Sequence, residues 1–175
     1  MTQGFGVDKT KPNMLSFYKS LGLKAHNGID WLAKDGEKIY WPLSKRGQVI
    51  GLTTDSSGGL GAIILMEDNG KYYKFIFWHL KSFACSVGNI LETGWLIGYA
   101  DNTGMSTGTH LHFGMKECDK NGNTLNYLNE YKGAIDPTFY LKAPYVADYM
   151  RLLEAKVKIL TLMVETLKKL LSLIK

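Results

Sequence analysis

The chain is poor in cysteine, proline and histidine, with two, four and four of them among 175 residues. Cys85 and Cys118 stand far apart and neither belongs to a Cys-x-x-Cys pair, which excludes a zinc ribbon and a dithiol redox motif. Both are expected to be ordinary thiols, with one bridge between them as the alternative. No bridge is needed, because a core of ~140 residues is large enough to be stable without staples. No uninterrupted apolar run reaches the ~18 residues of a membrane span. The stretch Ser56-Ser57-Gly58-Gly59-Leu60-Gly61 lacks the lysine of a phosphate-binding loop and no helix pattern follows it, so nucleotide binding is not expected. It reads as a flexible loop, either a plain connection or one wall of a groove. Basic side chains outnumber acidic ones by 21 to 16, a formal charge of +5 that suits polyanionic partners as well as plain solubility. Without a basic cluster interleaved with aromatics ahead of the carboxy-terminal segment, no nucleic-acid groove is expected. The amino terminus shows no charged segment ahead of an apolar one, so no secretory signal is expected in it.

The histidines that are present concentrate in three short segments: His26-Asn27-Gly28-Ile29-Asp30, Trp78-His79-Leu80 and His110-Leu111-His112-Phe113. A mixed His/Asp set is how a protein holds zinc with three ligands and leaves a fourth position open to water, the mark of a catalytic ion. On a strand, residues two apart share a face, so His110 and His112 can reach one centre.

From Ile39 to about Phe113 short apolar runs alternate with glycine, the pattern of antiparallel strands joined by tight turns. The runs are Gln48 to Leu52, Gly61 to Met66, Tyr72 to Leu80 and Trp95 to Tyr99. Asp68-Asn69-Gly70 marks a hairpin turn, because Asn-Gly accepts the positive dihedrals that such a turn requires. Met14 to Leu21 predicts a short helix stopped by Gly22, and a second helical piece is expected around Leu125 to Tyr131. Trp78 is expected as a core aromatic of its strand, with groove lining as its second role. Tyr18, Tyr40 and Tyr99 are further groove candidates.

Beyond Ala143-Pro144 glycine vanishes and leucine and lysine dominate. Heptads written from Met150 place Met150, Val157, Val164 and Leu171 at one apolar position and Leu153, Leu160, Leu167 and Ile174 three residues later, a coiled-coil seam that leans toward a parallel dimer. Leu152, Ile159, Met163, Leu170 and Leu173 widen that face, which admits larger bundles. Lys156, Lys158, Lys168 and Lys169 also permit contact with a membrane surface. Oligomerisation is the expected role.

Several of these segments resemble the lysostaphin-type or LytM-type zinc peptidases of bacterial cell walls, peptidase family M23. The resemblance runs over most of residues 1 to 142. Thr2-Gln3-Gly4-Phe5-Gly6 resembles that domain's opening, and Ala25 to Asp30 is similar to its His-x-x-x-Asp motif. Trp41-Pro42 and Gly47-Gln48-Val49 resemble the strands that follow, Trp78-His79-Leu80 the middle histidine segment, and Asn102 to Phe113 the glycine-threonine run into His-x-His. The resemblance implies that His26, Asp30 and His112 are zinc ligands, that His79 and His110 are catalytic histidines, and that the substrate is a peptide crossbridge or stem of peptidoglycan. Two positions depart from the family: Gly114 stands where an acidic residue often follows His-x-His-Phe, and Trp78 where small residues commonly precede the middle histidine.

The expected architecture is therefore a mainly β, antiparallel M23-type domain of the duplicated hybrid motif kind over residues 1 to 142, carrying one catalytic zinc. An amphipathic helix over 144 to 175 follows. The expected function is zinc-dependent endopeptidase cleavage of peptidoglycan by a phage lysin or virion-associated lysin, which reaches the cell wall by release at phage lysis or by carriage in a virion. The alternative is a non-catalytic wall-binding or structural virion module of the same fold.

Overall fold

The structure is a computed structural model that describes residues 2–141 and 156–170. The chain divides into two units, Met1–Tyr140 and Leu141–Lys175. The first is an antiparallel sheet assembly built from β1 (Ile29–Leu32), β2 (Lys38–Tyr40), β3 (Gly47–Asp55), β4 (Gly59–Asp68), β5 (Lys71–Phe83), β6 (Ile90–Leu91), β7 (Leu96–Ala100) and β8 (His110–Cys118). The sheet order is β1-β8-β5-β4-β3-β6, with β7 joining the far end of β5 and β2 pairing with β7. A helix α1 (Met14–Ser20) precedes the sheet, and a 3-10 turn over Pro137–Leu141 follows it.

Local chemistry accounts for the elements that the sequence marks. In the β4–β5 hairpin, Asp68 pairs with Lys71 across Asn69 and Gly70, whose φ values of 52° and 78° are those of a type I′ turn. Helix α1 ends in a Schellman motif. Gly22 turns left-handed at φ 71°, its N–H donates to Lys19, and the N–H of Leu23 donates to Tyr18.

Side-chain parity on β5 and β8 divides core from cleft. Phe75 and Phe77 on β5, with Leu111, Phe113 and Met115 on β8, point into a core that also holds Trp41, Val49, Ile64 and Ile97. The Phe113 ring lies 5.0 Å from Phe77 and 5.5 Å from Phe75. Burial of each such side chain contributes roughly 1.5–3 kcal/mol. The opposite parity places His110, His112, Gly114 and Lys116 on the other face of β8, beside Trp78, Ile76 and Lys74 of β5.

Several expectations need correction. Residues 125–131 are a chain of turns rather than a helix. Asn129 accepts from the N–H groups of Tyr131 and Gly133 and donates to the carbonyl of Ala134, capturing backbone groups that a helix would use, and Leu128 is 97% exposed, so no apolar stripe exists to bury. The glycine-rich stretch is half turn and half strand: 56–58 form the turn from β3, and β4 begins at Gly59. Trp78 lies outside the core, because Phe77 takes the inward position and Trp78 packs over Gly58 and Gly61. Cys85 and Cys118 are both free and buried.

Residues 156–170 are helical and exposed along their length. The seam positions Met150, Leu153, Leu171 and Ile174, together with Leu152 and Leu173, lie outside the described residues. No described helix is long and apolar enough to cross a membrane.

Candidate metal centre and its cleft

Three sequence-distant donors converge at the β1–β8 pairing. Asp30 on β1 faces His112 on β8 in register, and His26 reaches the same point from the segment preceding β1. The Asp30 Oδ1 atom lies 3.0 Å from His112 Nδ1 and 3.1 Å from His26 Nε2, and the two nitrogens are 3.1 Å apart. A tetrahedral ion with bonds of about 2.0–2.1 Å sets its ligands roughly 3.3 Å apart. The donor triangle is therefore of the size that such an ion requires. These three residues form the group of candidate metal ligands among the described residues.

Protonation prepares the site. The Nδ1–H of His26 donates to the Gly4 carbonyl at 2.8 Å, which leaves the Nε2 lone pair facing inward, the usual outer-shell device of a metal-binding histidine. Burial pushes the His112 imidazole below its ordinary pKa and so favours the neutral, ligating form. Burial pushes the Asp30 carboxyl up, but its close contacts with the His112 and His26 rings outweigh it and hold the group well below the usual carboxylate range. One fixed negative charge with two inward lone pairs suits a divalent cation.

Two further histidines border the triangle. His110 holds its Nδ1–H on the Gly108 carbonyl at 2.8 Å, beside Ser106 Oγ at 3.0 Å, and its Nε2 stands 3.7 Å from Asp30 Oδ1. His79 donates Nδ1–H to the Thr103 carbonyl at 2.6 Å, and its ring centroid is 4.4 Å from that of His110. Burial pushes its pKa down to about 4, so the ring is neutral at ordinary pH. His79 also breaks strand regularity, with φ at 63° where the pairing of β5 to β4 shifts register between Phe77 and Leu80. A left-handed non-glycine residue costs of order 1–2 kcal/mol, and here the irregularity turns His79 to the cleft side next to Trp78.

The donors open on a cleft of about 1110 Å³. Tyr18 lines it and stacks on His26 at 5.6 Å, while Tyr40 and Tyr99 do not line it. Burial, followed by the nearby Asp30 charge, raises the Tyr18 hydroxyl to about 12. Ser57 and Gly58 form part of the wall, so the groove reading of the glycine-rich turn is the one the geometry supports. Residue-type reasoning missed Gly28. A Cβ there would stand 2.6 Å from the His112 ring and 2.7 Å from the Phe113 carbonyl, so the glycine between the candidate ligands His26 and Asp30 is a steric requirement. The carbonyls of Gly4, Thr103 and Gly108 were equally invisible, since a backbone acceptor has no residue-type signal.

A curled antiparallel sheet with a His/Asp/His donor set at a cleft floor defines a metallopeptidase-type site, and the comparisons agree. The model of Peptidase family M23 matches residues 24–127, and the chain belongs to that family. The glycyl-glycine endopeptidase ALE-1 of Staphylococcus capitis is 29% identical over 118 residues, covering 67% of this chain and 29% of that protein. Among solved structures, LytU superposes with a TM-score of 0.58 at 30% identity, covering 78% of this chain and 79% of LytU. The catalytic domain of lysostaphin from Staphylococcus simulans gives 0.56 at 25% identity, covering 69% of this chain and 81% of that domain. This chain thus spans less than a third of the full length of the curated relative but most of the solved domains.

Proposed function

We propose that the protein is a zinc-dependent endopeptidase that hydrolyses peptide crosslinks or stem peptides of bacterial peptidoglycan. One observation carries this reading: two imidazoles, each with its Nδ1 held on a backbone carbonyl, border a three-donor candidate metal site in an open cleft. His26, Asp30 and His112 are the proposed ligands. Zinc bound there supplies Lewis acidity and an acidified water. The chain's own part is proton handling. With Nδ1 of each held by a backbone carbonyl, His110 and His79 keep Nε2 for proton handling: one would accept a proton from the attacking nucleophile and return it to the developing oxyanion or the leaving amine. The relatives named as endopeptidases support the substrate class.

The test is release of free amino groups from purified sacculi of differing crossbridge type. Zinc-loaded protein is expected to release them, and His110→Ala and His79→Ala to be slower by about 10²–10⁴-fold, the usual share of general acid–base catalysis. Binding to sacculi without release would refute the endopeptidase reading in favour of a wall-binding module.

The helical segment is proposed to self-associate. Val157, Leu160, Val164 and Leu167 are each about half exposed or more and recur at heptad spacing. Sedimentation of the full chain is expected to show an oligomer that Leu160→Glu with Leu167→Glu dissociates. A monomer that instead pellets with anionic vesicles would assign the segment to a membrane surface through Lys156, Lys158, Lys168 and Lys169.

A further inference from the structure

The cleft does not end at the metal donors. Along β8 the residues that share its cleft face run His110, His112, Gly114, Lys116, and across from them on β5 stand Trp78 opposite His112, Ile76 opposite Gly114 and Lys74 opposite Lys116. Gly114 interrupts this floor. A Cβ at Gly114 would make only ordinary contacts, 3.7 Å to His112 and 3.9 Å to Ile76, so packing does not demand glycine. Its missing side chain leaves a trough that leads from the metal donors to Lys116.

That trough reaches a cluster of cations. Lys116 and Lys132 both line the cleft, and Lys74 stands beside Lys116 on the neighbouring strand. Like charges directly opposite on paired strands destabilise a sheet. Burial, with the fields of Lys74 and Lys132, lowers Lys116 to about 8. The acidic side chains at this end have other partners: Glu130 with Lys24, Glu117 with Lys71, Asp119 with the turn at Asn121 and Asn123, and Asp55, which feels the Lys132 charge, with the N–H groups of Ser57 and Gly58. Lys132 adds backbone strain, with φ at 53°, and its carbonyl accepts from Lys116 Nζ at 2.9 Å. Strain and repulsion gathered at one end of a cleft point to a ligand that relieves them.

We propose that Lys116 and Lys132 form an anion subsite that receives a carboxylate of an extended peptide substrate. This rests on the endopeptidase reading above and names the substrate feature it selects. Lys116 lies four positions beyond His112 on β8, a span of ~13 Å. An extended peptide covers that distance in about four residues, which places the carboxylate about four residues from the bond cut. A peptide is favoured over a phosphate polymer because the subsite continues the trough that starts at the cleavage centre.

The test uses full-length, zinc-loaded protein on sacculi stripped of phosphate polymers, before and after the peptide carboxylates are converted to amides. Lys116→Met and Lys132→Met are compared with wild type, and Lys132→Met retains the carbonyl that Lys116 binds. Either substitution, or amidation, is expected to raise KM about 10-fold or more with kcat little changed, as for loss of a hydrogen bond between charged groups. The effects of substitution and amidation are expected not to multiply, because they remove two halves of one interaction. Gly114→Glu is expected to mimic both by filling the trough with negative charge. Amidation that slows the variants as much as wild type, or substitutions that lower kcat alone, would overturn the subsite. Dependence on the lysines only where phosphate polymers are left in place would overturn it in favour of those polymers. Loss of hydrolysis on every wall, in the wild type as well, would remove the endopeptidase reading and this inference together.

Discussion

Gly28→Ala is the substitution whose outcome depends most directly on the geometry of the metal donors. The added Cβ would lie 2.6 Å from His112 Cε1 and Nε2, where ordinary contact begins at 3.4 Å, so the ring must withdraw by about 0.8 Å (3.4 less 2.6). The Phe113 carbonyl at 2.7 Å blocks relief in the other direction, because it belongs to β8 and pairs in the sheet. Metal–ligand distances tolerate about 0.2 Å, so even half of that withdrawal takes Nδ1 out of range. The expected result is a loss of metal affinity of at least the 10–100-fold typical of outer-shell changes. Overpacking adds a destabilisation of about 1–3 kcal/mol, partly offset by the ~0.4–1 kcal/mol that alanine removes from unfolded-chain entropy. That offset applies because Gly28 is not in the left-handed region. Zinc titration against a competing chelator reads the affinity, and thermal melts with and without metal read the stability. Wild-type affinity in Gly28→Ala would refute the argument, since the donor triangle could not then depend on the His112 ring position.

Three further outcomes follow from the same structure. Gly61→Ala would place a Cβ 2.3 Å from the Trp78 ring and is expected to displace that side chain into the cleft, seen as a shift in tryptophan fluorescence and a loss of about 1–3 kcal/mol; an unchanged spectrum would contradict the packing. Lys116 has a folded pKa near 8 against an ordinary 10.5, so the folded state sheds its proton first and stability rises with pH across that window; denaturant titrations from pH 7.5 to 10.5 are expected to show this rise in wild type and a smaller one in Lys116→Met, and equal slopes would contradict the shift. Chelation is expected to abolish hydrolysis and lower the melting temperature while the β-type circular dichroism persists, because the core around Trp41, Phe75 and Phe113 is built without the metal donors; unfolding at room temperature on chelation would instead assign the ion a structural role.

The sequence by itself determined the features that depend on neighbours along the chain. The Asn69-Gly70 turn, the stop of α1 at Gly22 and the shared face of His110 and His112 follow from dihedral preference and strand parity, which are local properties. Local reasoning failed where side chains competed with the backbone, as Asn129 does in place of a helix, or where parity depended on an irregular strand. Strand parity takes Trp78 to the cleft, but His79, its neighbour, joins it only because β5 breaks register at that left-handed residue, and no spacing rule foresees that break. Only the tertiary structure brought His26, Asp30 and His112 within 3.1 Å of one another, because that requires β1 and β8 to pair across 82 positions of chain. The fit of Gly28 against His112 and the trough from Gly114 to Lys116 belong to the same category. They arise between strands remote in sequence, and their physical content is the space left by atoms that are absent.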